Sequence, residues 1–450
     1  MTKVIKLRKG LDINLTGKAT GTANTTVPAC EVALMPCGFP GVIPKLAVRT
    51  GDKVKVGDAL FFNKACPDVR FASPVSGEVT EIARGERRRV LHVKIKADSE
   101  QEFLDFGKKD VSALNGDTVK KSLLEAGLFG WINQLPYAIS TTPDTKPKAI
   151  FVSALRDMPL AADFEVELQG NETAFQTGLT ALSKMAKVYL GIGANQSNKA
   201  LTQAQDAEVV IFDGPSPAGN VGVQVNHISP INKGETVWTV DPSAVIFFGR
   251  LFLTGHVDLT RTIAVGGSEI KEPVYTKALI GTPLSDIIKD KLVKEEHVRV
   301  LNGNPLTGVR YADAPFLLPH TSEICAIPEG DDADEILGWI RPRTKQFSVS
   351  HSYFSWLSGK KKQYNLDARI KGGQRHMIMS GEYDKVLPMD ILGEYLIKAI
   401  ITGDIDKQEA LGIYEVSPED FAIAEFVDSS KLPLQKIVRQ GLDILRKENA

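Results

Sequence analysis

The stretch GDKVKVGDALFF (51–62) decides the fold of the N-terminal part of this chain. Val54, Val56 and Leu60 alternate with polar neighbours, which is the pattern of a strand buried on one face. The two Gly-Asp dipeptides of the stretch favour tight turns. Short strands separated by glycine turns indicate a small sandwich or barrel, and we assign residues 1–100 to it.

The segments that follow extend this pattern. SPVSGEVTEI (73–82) and RRVLHVKIKA (88–97) again alternate apolar and polar residues. The arrangement resembles the barrel-sandwich of the biotinyl and lipoyl domains, which carry their cofactor on a lysine at a hairpin tip. That tip position corresponds here to Cys66, beside Pro67, and Lys64 lies out of frame. We therefore expect a scaffold with no attached group.

Between residues 101 and 255 the hydrophobic period changes. Three short apolar runs predict strands, namely KAIFVSAL (148–155), KVYLGIG (187–193) and AEVVIFDG (207–214). Between the first and second runs, apolar residues recur at helical spacing. A short helical stretch lies between the second run and the third. Strands that alternate with helices predict a parallel sheet, so we expect a Rossmann-like α/β domain.

The loop GIGANQ (191–196) is the one candidate for dinucleotide binding in this domain. The third glycine of the G-x-G-x-x-G pattern is replaced by Gln196, and Asp213 is the available acidic residue at the end of the third strand. A lone G-x-G after a strand is a weak signal. NAD binding is therefore disfavoured here.

The pattern of residues 256–330 predicts strands around one helix, TPLSDIIKDKL (282–292). Thr282 is its expected N-cap, and Pro283 is expected at its first position. This order resembles a β-grasp domain of the soluble-ligand-binding (SLBB) type. The expected strands are Arg261–Val265, Val274–Leu279 and His297–Leu301.

Residues 331–450 are expected to form a helical C-terminal domain. The acidic run at 330–335 is predicted to cap a helix that continues with ILGWI (336–340), because carboxylates stabilise helix N-termini. A last helix is predicted from Pro433 onward.

Composition excludes several classes of function. The chain has 450 residues, 54 basic and 55 acidic side chains, and so a net charge of −1, which disfavours a nucleic-acid partner. Four scattered cysteines indicate a reducing compartment, and they lack the spacing of a metal or iron–sulfur site. Cys30 and Cys37 are expected to be buried. No apolar run approaches the roughly 20 residues of a membrane-spanning helix.

Two irregular apolar segments are the candidate binding site, LMPCGFPGVIP (34–44) and LFGWINQLPYAI (128–139). Their glycines and prolines exclude a regular helix or a central strand. Two interpretations remain open, packing between domains and an aromatic pocket with a few polar groups. In the second, the two segments meet and form one apolar groove. The candidate residues are Pro36, Phe39, Val42, Phe129, Trp131, Asn133, Gln134, Leu135 and Tyr137.

The order of the parts resembles a known family over the whole chain. The barrel, the α/β layer, the β-grasp and the helical end follow the order of the complex I flavoprotein subunit and the Rnf complex C subunit. More specifically, the chain is similar to the A subunits of the bacterial sodium-translocating NADH:quinone reductases. The matching stretches are IKLRKGLDINLTG (5–17), GPSPAGNVGVQVNHISPIN (214–232), VWTV (237–240) with FGRLFLTG (248–255), and GEYDKVLPMDILGEYLIKAIITGDIDKQEALGIYE (381–415).

This resemblance implies a peripheral subunit on the cytoplasmic face of the bacterial inner membrane. It implies five partner subunits, chiefly the membrane-embedded B subunit, in a complex that passes electrons from NADH to quinone and exports sodium. The flavins, the iron–sulfur cluster and the sodium path are expected in those other subunits, with no cofactor and no catalytic centre in this one. Quinone contact at the two apolar segments is expected.

Departures from the flavoprotein relatives limit the resemblance. Their glycine-rich FMN loop corresponds here to GLFGWINQLPYA (127–138), in which Gly127 and Gly130 remain but larger residues replace the small ones. Two other classes of function stay open. One is a purely structural adaptor without a ligand, and the other is a stand-alone NAD-binding dehydrogenase, which would need the missing third glycine.

Overall fold

A computed structural model describes residues 3–332, 342–359 and 361–449. The strands in these ranges are β1 (Lys3–Lys6), β2 (Thr20–Thr26), β3 (Glu31–Leu34), β4 (Pro44–Leu46), β5 (Lys53–Val54), β6 (Ala59–Asn63), β7 (Cys66–Ala72), β8 (Gly77–Arg84), β9 (Val90–Ala97), β10 (Ile132–Leu135), β11 (Ile139–Ser140), β12 (Ile150–Ser153), β13 (Val188–Gly193), β14 (Glu208–Asp213), β15 (Val237–Val240), β16 (Thr260–Gly266), β17 (Val274–Leu279), β18 (Val298–Asn302), β19 (Val309–Arg310) and β20 (Glu323–Pro328). The α-helices are α1 (Gly116–Glu125), α2 (Phe164–Leu168), α3 (Glu172–Ser183), α4 (Lys199–Thr202), α5 (Val221–Ile228), α6 (Pro242–Thr254), α7 (Leu284–Ile288), α8 (Tyr383–Val386), α9 (Gly393–Thr402), α10 (Ile405–Ala410), α11 (Ala422–Val427) and α12 (Leu434–Glu448). Short 3-10 turns occur at Pro36–Gly38, Glu86–Arg88, Val111–Ala113, Phe129–Trp131, Phe354–Ser358, Ile413–Glu415 and Pro418–Phe421.

Two small antiparallel sheets form the N-terminal unit. One has the order β3-β9-β8-β5 and the other the order β4-β6-β7. Side chains such as Leu60, Val79 and Val93 are fully buried in the core, as the alternation of apolar and polar residues predicts. The hairpin β6–β7 turns at Lys64 and Ala65, whereas Cys66 already begins β7. The expectation that Cys66 occupies the tip is therefore wrong, and the exposed Lys64 lies in the turn.

The first two strands leave this unit for other sheets. β1 pairs in parallel with β14, and β2 pairs in parallel with β17. The barrel-sandwich sheets therefore use residues from Glu31 onward, not from residue 1. Each of the two strands lies at the end of a larger sheet and satisfies backbone groups that would otherwise be exposed at its edge.

The α/β layer is a seven-stranded sheet with the order β1-β14-β13-β12-β15-β10-β11. The three strands expected between 148 and 214 are β12, β13 and β14, and they are parallel to one another and to β15. Chain order runs outward from β12 in both directions, in the 3-2-1-4 order of doubly wound sheets. The reversal between β12 and β15 is the position where such sheets open a crevice at the carboxyl ends of their strands.

A six-stranded sheet with the order β19-β18-β20-β16-β17-β2 follows. Its strands β16, β17 and β18 correspond to the three expected between 256 and 330. The helix there, α7, has only five residues, and its N-cap is Pro283 instead of the expected Thr282. Thr282 is fully buried, and its hydroxyl has no hydrogen-bond partner within the described ranges, so it does not cap the helix.

Among the described residues, the α-helices of the C-terminal part begin at Tyr383. Between 342 and 382, the described part of the chain contains one 3-10 turn and no α-helix, and the helices α8 to α12 start only at Tyr383. The predicted helix around ILGWI falls on residues 333–341, which lie outside the described ranges. The last predicted helix is α12, and it buries Leu434, Val438 and Leu445 on one stripe.

Two helix glycines allow α3 and α6 to pack closely on the seven-stranded sheet. A Cβ atom on Gly249 of α6 would lie 1.7 Å from the backbone oxygen of Ala174, at the start of α3. A Cβ atom on Gly178 of α3 would lie 2.0 Å from the backbone oxygen of Val245. Because the obstructing atoms belong to the backbone, no side-chain rotation relieves either clash.

We expect Gly249→Ala to lower the free energy of unfolding by about 1–3 kcal/mol, because overpacking must separate the two helices. Intrinsic helix propensity would act in the opposite direction, by about 1 kcal/mol in favour of alanine. Urea denaturation followed by circular dichroism measures the change. Gly373→Ala is the matched control, since Gly373 has no atom within 4 Å of an added Cβ. Equal stability of the two variants would contradict this packing.

Candidate functional site

The two apolar segments meet, as predicted. The expectation that the second one excludes a central strand is wrong, because it contains β10, which pairs with β11 on one side and with β15 on the other. The ring centroids of Phe39 and Trp131 lie 5.4 Å apart in an edge-on arrangement. Phe39 also contacts Phe71 of β7 at 4.3 Å, and Trp131 contacts Phe247 of α6 at 5.4 Å. This aromatic cluster joins the barrel-sandwich unit to the seven-stranded sheet.

The two glycines of the second segment serve this packing. A Cβ atom on Gly130 would lie 2.5 Å from the ring of Phe71, and one on Gly127 would lie 2.8 Å from the backbone nitrogen of Ala72. Gly127 also has a φ of +67°, in the left-handed region that glycine adopts most easily. Close packing between the barrel-sandwich unit and the second segment therefore explains why glycine occupies both positions.

The nine candidate residues do not line one groove. Phe39, Phe129 and Trp131 belong to the largest core cluster and are at most 2% exposed, and Val42 packs beside them. Leu135 belongs to a separate cluster under α5. The expectation of a single open groove differs from the structure because protein side chains already fill the space around the rings. Pro36, Gln134 and Leu135 are buried, whereas Val42, Asn133 and Tyr137 are half-buried.

The three polar candidates, Asn133, Gln134 and Tyr137, have different surroundings. Thr141 donates a hydrogen bond of 2.8 Å to the side-chain oxygen of Gln134. The side-chain oxygen of Asn133 is buried and has no partner in the described part of the chain. Tyr137 has a φ of +83°, unusual for a residue with a side chain, and its hydroxyl accepts a hydrogen bond of 3.3 Å from Asn449. This hairpin thus offers one unused acceptor and one partly exposed hydroxyl.

A buried charge network occupies the carboxyl ends of β12 and β15. Arg156, which follows β12, lies 3.0 Å from a carboxylate oxygen of Glu167 in α2. Arg261 of β16 donates to the hydroxyl of Ser243 at 2.7 Å, and that hydroxyl donates to Glu167 at 2.8 Å. Arg156 donates to the same hydroxyl at 3.0 Å. Asp241, directly after β15, lies 3.6 Å from both guanidinium groups.

The charges of this network balance one another. Burial alone would raise the pKa of Asp241, but Arg261 and Arg156 hold it below its ordinary value. The side chains of Arg261 and Glu167 are 0% and 3% exposed, so solvent screens their interaction very little. Beside the network, burial lowers the pKa of His320, whose ring contacts Phe39 and Trp131 edge-on. Burial thus favours the neutral form of this imidazole.

The loop GIGANQ is closed by its own glutamine. The side chain of Gln196 accepts a hydrogen bond of 2.8 Å from the backbone of Gly193 and donates one of 3.0 Å to Ala154. A Cβ atom on Gly191 would lie 1.9 Å from the side-chain oxygen of Gln224. The lack of a side chain at Gly191 therefore leaves room for Gln224 of α5. The backbone nitrogen of Gly193 is thus already engaged by a side chain of the same loop.

Sequence reasoning missed the charge network. The signals were Asp241-Pro242-Ser243, a helix N-cap that the structure confirms, and an arginine inside the apolar run around residue 261.

Cys30 and Cys37 are exposed instead of buried, because they lie at a strand end and in a 3-10 turn. Among the described residues one group could hold a metal, namely His297, Asp331 and Asp332, all of them exposed.

Three family models match successive parts of the chain. The NqrA N-terminal barrel-sandwich hybrid domain matches residues 5–98, the NqrA second alpha/beta domain matches 114–257, and the NQRA C-terminal domain, an SLBB model, matches 262–312. The A subunit of the Na(+)-translocating NADH-quinone reductase of Pasteurella multocida is 33% identical over 450 residues, which is 99% of this chain and 100% of that protein. The chain belongs to the family of these A subunits.

Other members agree with this assignment. The A subunit of Haemophilus influenzae (strain PittEE) is 33% identical and that of Yersinia pestis bv. Antiqua is 32% identical, each with 99% of this chain and 100% of the relative covered. Two structures of an NAD+-reducing [NiFe]-hydrogenase share 11% identity with this chain. The H2-reduced form covers 41% of each chain with a TM-score of 0.30. The air-oxidised form covers 51% of this chain and 52% of the other, with a TM-score of 0.33.

We expect Trp131→Ala to lower the free energy of unfolding of the purified chain by about 3–5 kcal/mol, because it empties a buried site between two units. Urea denaturation monitored by circular dichroism tests this. Trp356→Ala is the matched control, since that indole is 46% exposed and its loss is expected to cost less than about 0.5 kcal/mol. A Trp131 variant as stable as this control would show that the indole is not a packing residue.

Proposed function

We propose that this member of the A-subunit family is a peripheral subunit that docks on the membrane-embedded B subunit at the cytoplasmic face and contacts quinone. In this proposal five other subunits complete the complex and carry the flavins, the iron–sulfur cluster, the NADH site and the sodium path. Among the helices of the described ranges, none is both long and apolar enough to cross a bilayer. Attachment through a membrane-embedded partner is part of the proposal.

One observation carries the docking proposal, an exposed apolar turn in the C-terminal part. Phe354, Trp356 and Leu357 are 59%, 46% and 67% exposed within the 3-10 turn Phe354–Ser358. Large apolar side chains grouped at a surface are typical of interaction sites, and aromatic residues dominate the binding energy of many interfaces. We therefore propose this turn, termed the aromatic turn, as a contact with the B subunit.

The proposed quinone contact uses the accessible edge of the candidate segments. Val42, Asn133 and Tyr137 are half-buried, and Val42 packs against the core cluster that contains Trp131. A quinone carbonyl accepts hydrogen bonds, which the Asn133 amide or the Tyr137 hydroxyl can donate. In this proposal the buried rings of Phe39, Phe129 and Trp131 support the site from behind, and the B subunit closes it.

A structural adaptor without a ligand is the second candidate. Its support is the burial of Phe39, Phe129 and Trp131, which lie in one continuous core with the barrel and the sheet. Both candidates require docking on the complex. They differ in whether this chain changes quinone kinetics once it is assembled.

We expect the double variant Trp356→Ser and Leu357→Ser to reduce co-purification of the chain with the B subunit at least about tenfold, because it removes apolar contact area. The measurement is the ratio of the two subunits after affinity purification of the complex. The control is Val293→Ser, which changes another apolar residue that is 56% exposed. Retention equal to this control would exclude the aromatic turn as the docking contact.

The variant Tyr137→Phe separates the two candidates within the assembled complex. If quinone binds here, NADH:quinone activity falls because a hydrogen-bond donor to quinone is lost, while NADH oxidation by an artificial acceptor is unchanged. The hydrogen bond from Asn449 to the same hydroxyl is lost as well, so subunit assembly is measured in the same variant. Unchanged quinone kinetics in this variant and in Asn133→Ala, with normal assembly, would favour the adaptor.

A further inference from the structure

The aromatic turn lies in a segment whose charge is opposite in sign to that of the rest of the chain. Residues 342–362 contain five lysines and arginines and no aspartate or glutamate, which is a net charge of +5. Because the whole chain carries −1, all other residues together carry −6. A local positive charge of this kind attracts an anionic partner to this part of the surface.

Contacts within the segment bring basic side chains to the aromatic turn itself. The ammonium group of Lys362 donates a hydrogen bond of 3.2 Å to the hydroxyl of Ser358, the last residue of the turn, and another to the backbone oxygen of Thr344. The guanidinium group of Arg343 lies 5.5 Å from the ring centroid of Tyr353, which directly precedes the turn. Two positive charges therefore flank the exposed apolar side chains.

Two further lysines lie next to these groups in the chain. Lys345 follows Thr344, Lys361 precedes Lys362, and both are exposed. Neither forms an ion pair with another described residue. Their ammonium groups are therefore available to an external anion. We term Arg343, Lys345, Lys361 and Lys362 the basic rim.

The segment is fixed at its base and exposed at its turn. The ring of Phe347 lies 5.3 Å from that of Tyr364 and 5.8 Å from that of Phe426 in α11. In the middle of the turn, Ser355 is fully buried, whereas the three large apolar side chains beside it are exposed. Buried contacts thus hold the segment on the C-terminal part while its apolar and basic side chains face outward.

We propose that the aromatic turn and the basic rim contact the surface of a bilayer that contains anionic phospholipids. This inference rests on the proposed function, since docking on a membrane-embedded subunit brings the turn to the bilayer. Lysine and arginine are attracted to anionic headgroups, and tryptophan favours the headgroup level. Stable attachment to a membrane surface generally takes two contributions, one apolar and one electrostatic, and this segment provides both.

Leu357 favours a lipid surface over a single-stranded nucleic acid. Positive charge and aromatic rings are shared by proteins that bind either partner. Leu357 is aliphatic and 67% exposed, and it has no ring on which a base could stack. An apolar side chain of this size gains free energy at the boundary of the acyl chains, where it leaves water.

Vesicle flotation of the purified full-length chain measures this contact without the B subunit. The vesicles consist of phosphatidylcholine, either alone or with about one third phosphatidylglycerol. We expect binding to the anionic vesicles to be at least about tenfold stronger, and added KCl to weaken it because salt screens the charges. The double variant Lys345→Gln and Lys361→Gln is expected to bind them at least about fivefold more weakly. The matched control, Lys64→Gln with Lys289→Gln, removes the same charge from exposed positions elsewhere.

Tryptophan fluorescence tests whether the aromatic turn itself reaches the lipid. Brominated phosphatidylcholine in the anionic vesicles quenches a tryptophan that enters the boundary of the acyl chains. Trp131 and Trp238 are at most 2% exposed and are shielded from lipid, whereas Trp356 is 46% exposed. We expect the vesicles to quench the unsubstituted chain, and we expect this quenching to be lost in Trp356→Phe. Quenching that is unchanged in this variant would place the contact elsewhere and overturn the proposal.

Three results of the binding experiment would also overturn it. They are equal binding to neutral and anionic vesicles, lysine variants that bind as tightly as their control, and tighter binding of a single-stranded oligonucleotide than of anionic vesicles. The lysine variants separate this inference from the docking proposal. If they lose vesicle binding but still co-purify with the B subunit in detergent, the lipid contact is supported. An unsubstituted chain that co-purifies with the B subunit but binds no vesicles would exclude the lipid contact and leave docking intact.

Discussion

The structure depends on one buried network of charges at the centre of the chain. Arg156, Glu167 and Ser243 belong to the α/β layer, and Arg261 reaches them from the six-stranded sheet. Removing such groups from water is costly, and the cost is offset only when every charge has a partner with good geometry. Here the hydroxyl of Ser243 hydrogen-bonds with all three charged groups. The relative position of the two sheets is therefore specified by a balance that a single substitution disturbs.

The same network occupies one edge of the seven-stranded sheet. It fills the carboxyl ends of β12 and β15, the place where doubly wound sheets commonly hold a nucleotide. The loop closed by Gln196 engages the next backbone donor along that edge. At this edge of the sheet, the chain's own side chains therefore occupy positions where a ligand of a doubly wound sheet commonly lies.

Sequence reasoning succeeded where a local pattern carries the signal. The apolar runs of β12, β13 and β14 were predictable on that basis. Long-range pairings were not, because the partners of β1 and β2 lie about 200 and 250 residues away and leave no local trace. Burial of Trp131 was also not predictable, since an aromatic segment of this kind has the same sequence pattern whether it lines a groove or fills a core.

The most direct test of this account is a double-mutant cycle between Glu167→Gln and Arg261→Met, measured by urea unfolding of the purified chain. If the network joins the two sheets, each single variant loses about 3–5 kcal/mol, because one buried charge remains uncompensated. The double variant then loses less than the sum of the singles, by more than about 1 kcal/mol, because both unpaired charges are gone. Strictly additive losses, or losses below about 1 kcal/mol as at a surface pair, would contradict it.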